Sequence, residues 1–239
     1  TSKLHLGEIV ELLPSRVKYL IIVPHRGFHH IPFQALPIFE RFYIRRVPNC
    51  RVIGRENIHE TIFDHTLAIV DPMITCSKVE AEYLNSVAES LGKRGKLLSN
   101  SSIRKYLESD PILREYSMIL LSGHGNLMKN PFETHILENE QSISVADVLS
   151  RALSALLVIL STCWSGVMKN TANNLFLGMP GAFLYSGSKA VIGAMYEIPE
   201  DSACLLFIYF WHKLKKKLQK YTSDRSLKRR NLQNILACC

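Results

Sequence analysis

The chain has 239 residues, 47% of them hydrophobic and 21% charged, with a formal net charge of +8, which is long enough for one large α/β domain, or two small ones, whose core needs no covalent staples. No apolar run approaches the ~18 residues of a membrane span, the N-terminus lacks the basic and apolar regions of a signal peptide, and the six cysteines show no metal-ligand spacing. These features exclude membrane-spanning, disulfide-scaffold and zinc-finger classes, and they predict a soluble, cytoplasmic protein with inert thiols for the most part, no cofactor and no membrane partner; Asn100-Ser-Ser102 then matches a glycosylation acceptor by chance.

In chain order, Tyr19-Leu-Ile-Ile-Val23 predicts a short buried strand stopped by Pro24, and Phe28 to Phe33 an edge or bend limited by Pro32. This opening third reads as sheet margin. Leu67-Ala-Ile-Val70, ended by Asp71-Pro72, is the next core strand, after which Ser77-x-x-Glu80 reads as a capping box for a helix with the stripe Val79, Tyr83, Leu84, Val87 and Leu91, closed by Gly92. A brief Leu97-Leu98 strand, a helix from about Ser101 to Glu108 and a Met118 to Ser122 strand continue a β-α-β alternation, which calls for a parallel sheet with crossover helices. Residues 126–143 are polar and contain a proline, the pattern of a surface loop or small hairpin. Ser144-x-x-Asp147 caps another helix, which leads to the strand beginning at Leu156. After polar residues 169–174, Pro180 fits the first turn of a helix through Tyr185, Gly187 ends it, Ala190 to Ala194 forms a strand, and Cys204 to Lys220 an amphipathic helix.

The charge is unevenly placed. Residues 201–239 hold nine Lys/Arg against two Asp, so nearly all of the excess lies in Lys213 to Lys220 and in Arg225, Lys228, Arg229 and Arg230. Such a run suits phosphates or an acidic partner surface, although a solvated helix face and tail is the plainer explanation. Residues 1–220 are accordingly expected to form one domain and 221–239 a basic tail, whose terminal Cys238-Cys239 reads as an arbitrary chain end.

Two strands end in reactive side chains. Met118-Ile-Leu-Leu-Ser-Gly-His124-Gly125 stops at a histidine between glycines, and Leu156-Leu-Val-Ile-Leu-Ser-Thr-Cys163 stops at a cysteine. In parallel sheets the reactive groups sit just past the carboxyl ends of buried strands, where side chains from neighbouring strands converge. Thiolate is the nucleophilic form of cysteine, and an imidazole, with its unperturbed pKa of ~6.5, can stabilise it or take its proton. Gly123 and Gly125 permit a sharp turn beside His124, and the amides of Gly125 and Cys163 could hold a developing oxyanion. A lone histidine after a strand, or a lone buried cysteine, is more often structural. It is the pair at equivalent strand ends that points to chemistry.

These segments resemble the signature of the caspase-like peptidases of clan CD, and most closely the CHAT domain, whose nucleophile pattern is similar to Leu160-Ser-Thr-Cys163-Trp-Ser-Gly166. Tyr19 to Pro24, Ile31-Pro-Phe-Gln-Ala-Leu36, Glu80-Ala-Glu82, Gly181 to Gly187, Ala190-Val-Ile-Gly193 and Tyr196-Glu-Ile-Pro-Glu-Asp201 resemble further stretches of the family, so the likeness spans nearly the whole chain. It departs in Ser122-Gly123 before the histidine and in Thr162 and Trp164 around the cysteine, which bear on substrate preference. The resemblance implies a three-layer α/β/α sandwich with a mostly parallel central sheet. It implies a cysteine endopeptidase in which Cys163 is the nucleophile, His124 the general base or ion-pair partner, and the amides of Gly125 and Cys163 the oxyanion hole, with no metal.

Family members usually follow tetratricopeptide-type repeats, and some are tied to bacterial defence, including CRISPR effectors and gasdermin-like substrates. The partners so implied are a protein substrate and a regulatory repeat domain or sensor subunit, with nucleic acid met only indirectly or through the basic tail. Thr1 is then expected to mark a boundary within a longer protein or the start of one subunit. Glu197 and Asp201 follow the last core strand and suit a basic substrate side chain, but loop and helix-cap acids look the same. Two other readings compete: a catalytically silent interaction domain of the same fold, and a nucleic-acid binder acting through its basic end.

Overall fold

A computed structural model describes residues 5–55, 65–90, 93–99, 112–137, 142–171 and 176–223. After a short helix α1 (Leu6–Glu11), strands β1 (Tyr19–Ile22) and β2 (Tyr43–Arg46) pair in parallel, Tyr19 opposite Tyr43, as a sheet of their own. Tyr19 and Ile21 are exposed, which corrects the expectation of a buried strand: β1 has a single partner strand and keeps one face uncovered. The other face closes over a small core of Phe33, Phe39 and Phe42, carried largely on the 3-10 turns that replace the expected bend.

The central sheet has five parallel strands in the order β12-β9-β5-β3-β4: β3 (His65–Val70), β4 (Arg94–Ser99), β5 (Met118–Ser122), β9 (Leu157–Ser161) and β12 (Val191–Gly193). Its inner strands read as continuous apolar runs because both faces are covered. Alternate residues Ala68, Val70, Met118, Leu120, Leu157 and Ile159 meet α2 (Thr75–Ser90) and α5 (Glu200–Ser223). Their neighbours Leu67, Ile69, Ile119, Leu121, Val158 and Leu160 meet α3 (Val145–Leu149) and α4 (Met179–Tyr185). The result is the expected mixed α/β sandwich with helices on both sides of a parallel sheet.

Local signals explain the helices. Ser144 and Asp147 form a reciprocal capping box at the start of α3. Pro180 lies in the first turn of α4, and Gly187 follows its end at φ +118°, a conformation that favours glycine. The α5 stripe of Cys204, Phe207, Phe210, Trp211 and Leu214 is buried at helical spacing, and Glu200 and Asp201 stand in its first turn, where acids suit the helix dipole.

One expectation is extended and another corrected. The described part of residues 126–143, expected as a surface loop or small hairpin, contributes to a small three-stranded antiparallel sheet, β6 (Gly125–Asn126), β7 (His135–Ile136) and β8 (Ile143–Ser144), with Ile136, Leu137 and Ile143 buried within this mostly polar stretch. Ser77 and Glu80 do not cap a helix: α2 begins at Thr75 and both side chains are buried beneath the sheet. A last pair, β10 (Lys169–Asn170) with β11 (Phe176–Leu177), is antiparallel. The expected helix of 101–108, Gly92 and most of the basic tail lie outside the described residues.

Candidate active site

The site begins with a register. In the β5–β9 ladder Ser122 stands directly opposite Ser161, and His124 and Cys163 each follow two residues later. The Gly123 amide still donates to the Ser161 carbonyl at 3.3 Å, so the strands stay side by side as the ladder ends. Beyond it the chains touch: a Cβ on Gly125 would overlap the Cys163 carbonyl oxygen and stand 3.1 Å from the Thr162 hydroxyl. Gly123 is as confined, since a Cβ there would lie 2.6 Å from Leu137 and 3.3 Å from the Asp71 side chain. The glycines flanking His124 therefore serve close approach of neighbouring chain, and Gly125 brings the histidine's strand end against the cysteine's.

On the other side of His124, its carbonyl accepts the Leu137 amide at 2.8 Å, and Gly125 stands opposite Ile136. In an antiparallel pair, opposed residues alternate between exchanging hydrogen bonds and not doing so. With the bond at 124 and 137, the next rung does not exchange, and the Gly125 amide faces away from β7.

The cysteine sits on a tied turn. Trp164 adopts a left-handed φ of +59°, its amide donates to the Tyr196 carbonyl at 3.4 Å, and its ring meets the Tyr196 ring edge-on at 6.4 Å. Ser165 is buried, donates its hydroxyl to the Thr162 carbonyl at 2.7 Å and accepts the Ala194 amide at 3.1 Å. Gly166 donates to the Ala194 carbonyl at 2.6 Å and packs so closely on Gly193 that a Cβ on it would lie 2.6 Å from that carbonyl oxygen. The half-buried Cys163 thiol donates to the Ile198 carbonyl at 3.7 Å. His124 is exposed, and its ring makes no hydrogen bond among the described residues. The backbones of the two predicted residues are thus brought together, while in this conformation the thiol is engaged elsewhere.

Sequence reasoning missed the polar layer beneath them. Ser161 donates to Glu80 at 2.9 Å, and Ser122 donates to Ser77 at 2.8 Å. Glu80 is 1% exposed, and burial raises its pKa, opposed by the Ser122 and Ser161 hydroxyls beside it, while the Glu200 carboxylate nearby pushes it further up. Of the two acids weighed for substrate preference, Asp201 lies in the first turn of α5, as a helix-cap acid would. Among the described residues no group of three His, Cys, Asp or Glu side chains could hold a metal ion.

A parallel sheet with helices on both faces, and a histidine and a cysteine just past adjacent carboxyl ends, is consistent with the caspase-like fold of clan CD. The CHAT domain profile matches residues 4–235, and the chain belongs to that family. Two crystal structures of the Saccharomyces cerevisiae separase–securin complex, at 3.0 and 2.6 Å resolution, share the fold with TM-scores of 0.57 and 0.58 at 18% sequence identity. Each alignment covers 82% of this chain and 13% of the separase-complex chain it matches. No curated protein matches the sequence.

Proposed function

We propose that this chain is a cysteine endopeptidase domain that cleaves a protein substrate through a Cys163–His124 dyad. The observation that carries the reading is the register: two residues suited to nucleophilic catalysis leave neighbouring strands at the same height, and Gly125 packs on the cysteine's own carbonyl. His124 takes the thiol proton, and the sulfur attacks the scissile carbonyl carbon. The oxyanion is received by the amides of Gly125 and Cys163. Collapse breaks the C–N bond, the amine leaves with the proton held by His124, and a water activated by the same imidazole hydrolyses the thioester.

In the conformation described, the thiol lies on the Ile198 carbonyl, and catalysis requires it to turn to the imidazole. That requirement suits an enzyme switched by an attached or partner module, such as a repeat-based sensor. The structures that share this fold were solved as a separase–securin complex, in which the matching fold occurs together with a partner chain. The same thiol contact favours the second reading, a silent interaction domain in which Cys163 stays on Ile198.

Mapping of new peptide termini in a proteome treated with the protein and its activating partner separates the two. The peptidase yields a set of termini that disappears with Cys163→Ala and with His124→Ala, and is untouched by a chelator. Identical termini from the active chain and both variants would leave only the silent domain.

A further inference from the structure

Glu80 is the buried ionisable group that the proposed chemistry leaves without a role. An isolated buried carboxyl is costly unless its environment compensates, and here only part of that compensation exists: Oε1 accepts Ser161, while Oε2 has no hydrogen-bond partner among the described residues. An apolar side chain would fill this place on α2 at lower cost. What the carboxyl adds is a link to one particular rung of the sheet.

The β5–β9 ladder ends at Ser122 and Ser161, and both hydroxyls of that rung are tied to a single face of α2: Ser161 to Glu80, and Ser122 to Ser77, three residues earlier on the helix. Ser77 is fully buried, so the face cannot swing out to solvent. His124 and Cys163 are the second residues beyond this rung. Any splay or twist of the strand ends there is carried directly into the separation of imidazole and sulfur, and a displacement of about 1 Å can cost about 100-fold in rate.

We propose that Glu80 is a positioning residue: through Ser161, and alongside the Ser77–Ser122 bond, it clamps the last rung of β5 and β9 so that His124 and Cys163 emerge within reach of each other. It touches neither substrate nor reacting atoms. The bond from Ser161 requires an acceptor oxygen at this place, which an amide can also supply. The role rests on the Cys–His reading above.

The test is the pH dependence of Cys163 alkylation by iodoacetamide in the activated protein, the full chain with the partner that turns the thiol to the imidazole, followed by mass spectrometry, because an imidazole beside a thiol lowers the pH at which thiolate appears. In the wild-type chain the midpoint lies below that of His124→Ala. Glu80→Gln, which keeps the acceptor, retains the wild-type midpoint, whereas Glu80→Ala and Ser161→Ala move it up by about one pH unit towards that of His124→Ala. Ser161 is half-buried, so its alanine variant decides the matter should Glu80→Ala fail to fold. A wild-type midpoint retained in Ser161→Ala, or displaced equally in Glu80→Gln and Glu80→Ala, overturns the clamp while leaving the dyad standing. A midpoint indifferent to His124→Ala overturns the dyad and the clamp together.

Discussion

The inner strands of the central sheet are buried on both faces, whereas β1 and β2 leave Tyr19, Ile21 and Tyr43 exposed and are fastened to the sheet edge by side-chain hydrogen bonds. Arg45 donates to the Lys189 carbonyl at 2.8 Å, Arg46 to the Gly166 carbonyl at 3.4 Å, and Asn49 to the Tyr185 hydroxyl at 2.8 Å. A cleft of about 800 Å³ remains between the two, with Tyr43 and Arg45 on one wall and Val191 and Ile192 on the other. The difference separates two tasks. Non-directional burial holds the sheet and sets the register that brings His124 to Cys163, while directional bonds from a smaller unit brace the outside of the cysteine turn at Gly166. The first should resist everything short of core damage, and the second should respond to changes in charge.

Trp211→Ala is the strongest way to break the sheet side of the comparison. The indole is 1% exposed and packs in the core shared by α2, α5 and the sheet, and emptying such a site costs about 3–5 kcal/mol. Chemical denaturation should show that loss as one cooperative transition. Loss confined to the β1–β2 unit would mean that α5 does not support the sheet.

Acid should instead loosen the N-terminal unit. His29 is 1% exposed and stacks on Phe176 with ring centroids 3.7 Å apart. Burial, reinforced by Arg46 and by neighbouring His30 and His25, lowers its pKa from 6.5 to about 4. The folded state therefore holds His29 neutral where the unfolded chain binds a proton, so its contribution is complete above pH 6.5 and is lost as pH falls towards 4. Linkage sets the loss at about 3 kcal/mol or less. Hydrogen exchange at pH 5 should rise over residues 19–46 before it rises over 118–122, and His29→Phe should remove the acid-side change. Simultaneous opening of both regions at pH 5 would show that the two are one cooperative unit.

How much of this was legible follows the same division. The strands at Leu67, Met118 and Leu156 are evident because burial on both faces leaves a continuous apolar run, and the paired strand ends with their glycines single out His124 and Cys163. The parallel partner of β1 is not evident: Tyr43-Ile-Arg-Arg46 is two apolar residues followed by two arginines, with no alternation to mark a strand, and the Lys189 and Gly166 carbonyls that Arg45 and Arg46 find lie far along the chain. The polar layer escaped for a different reason. Ser77-x-x-Glu80 has the spacing of a cap, and nothing local reveals that both side chains face the sheet. One usable signal was present, since Ser122 and Ser161 are the hydroxyl residues at the ends of otherwise apolar strands, two positions before His124 and Cys163.

The smallest expected effect tests that ambiguity. Ser144-x-x-Asp147 has the spacing of Ser77-x-x-Glu80 but forms a true reciprocal cap: the Asp147 amide donates to the Ser144 hydroxyl oxygen at 3.1 Å, and Asp147 accepts the Ser144 amide at 2.8 Å. Ser144→Ala should therefore cost about 1 kcal/mol, the usual value of a lost cap, and leave the pH midpoint of Cys163 alkylation where it is. Helix α3 packs against the opposite face of the sheet from α2, so a fraying first turn there does not reach the rung beneath His124 and Cys163. A shift of that midpoint in Ser144→Ala would mean that the two faces are coupled through the sheet.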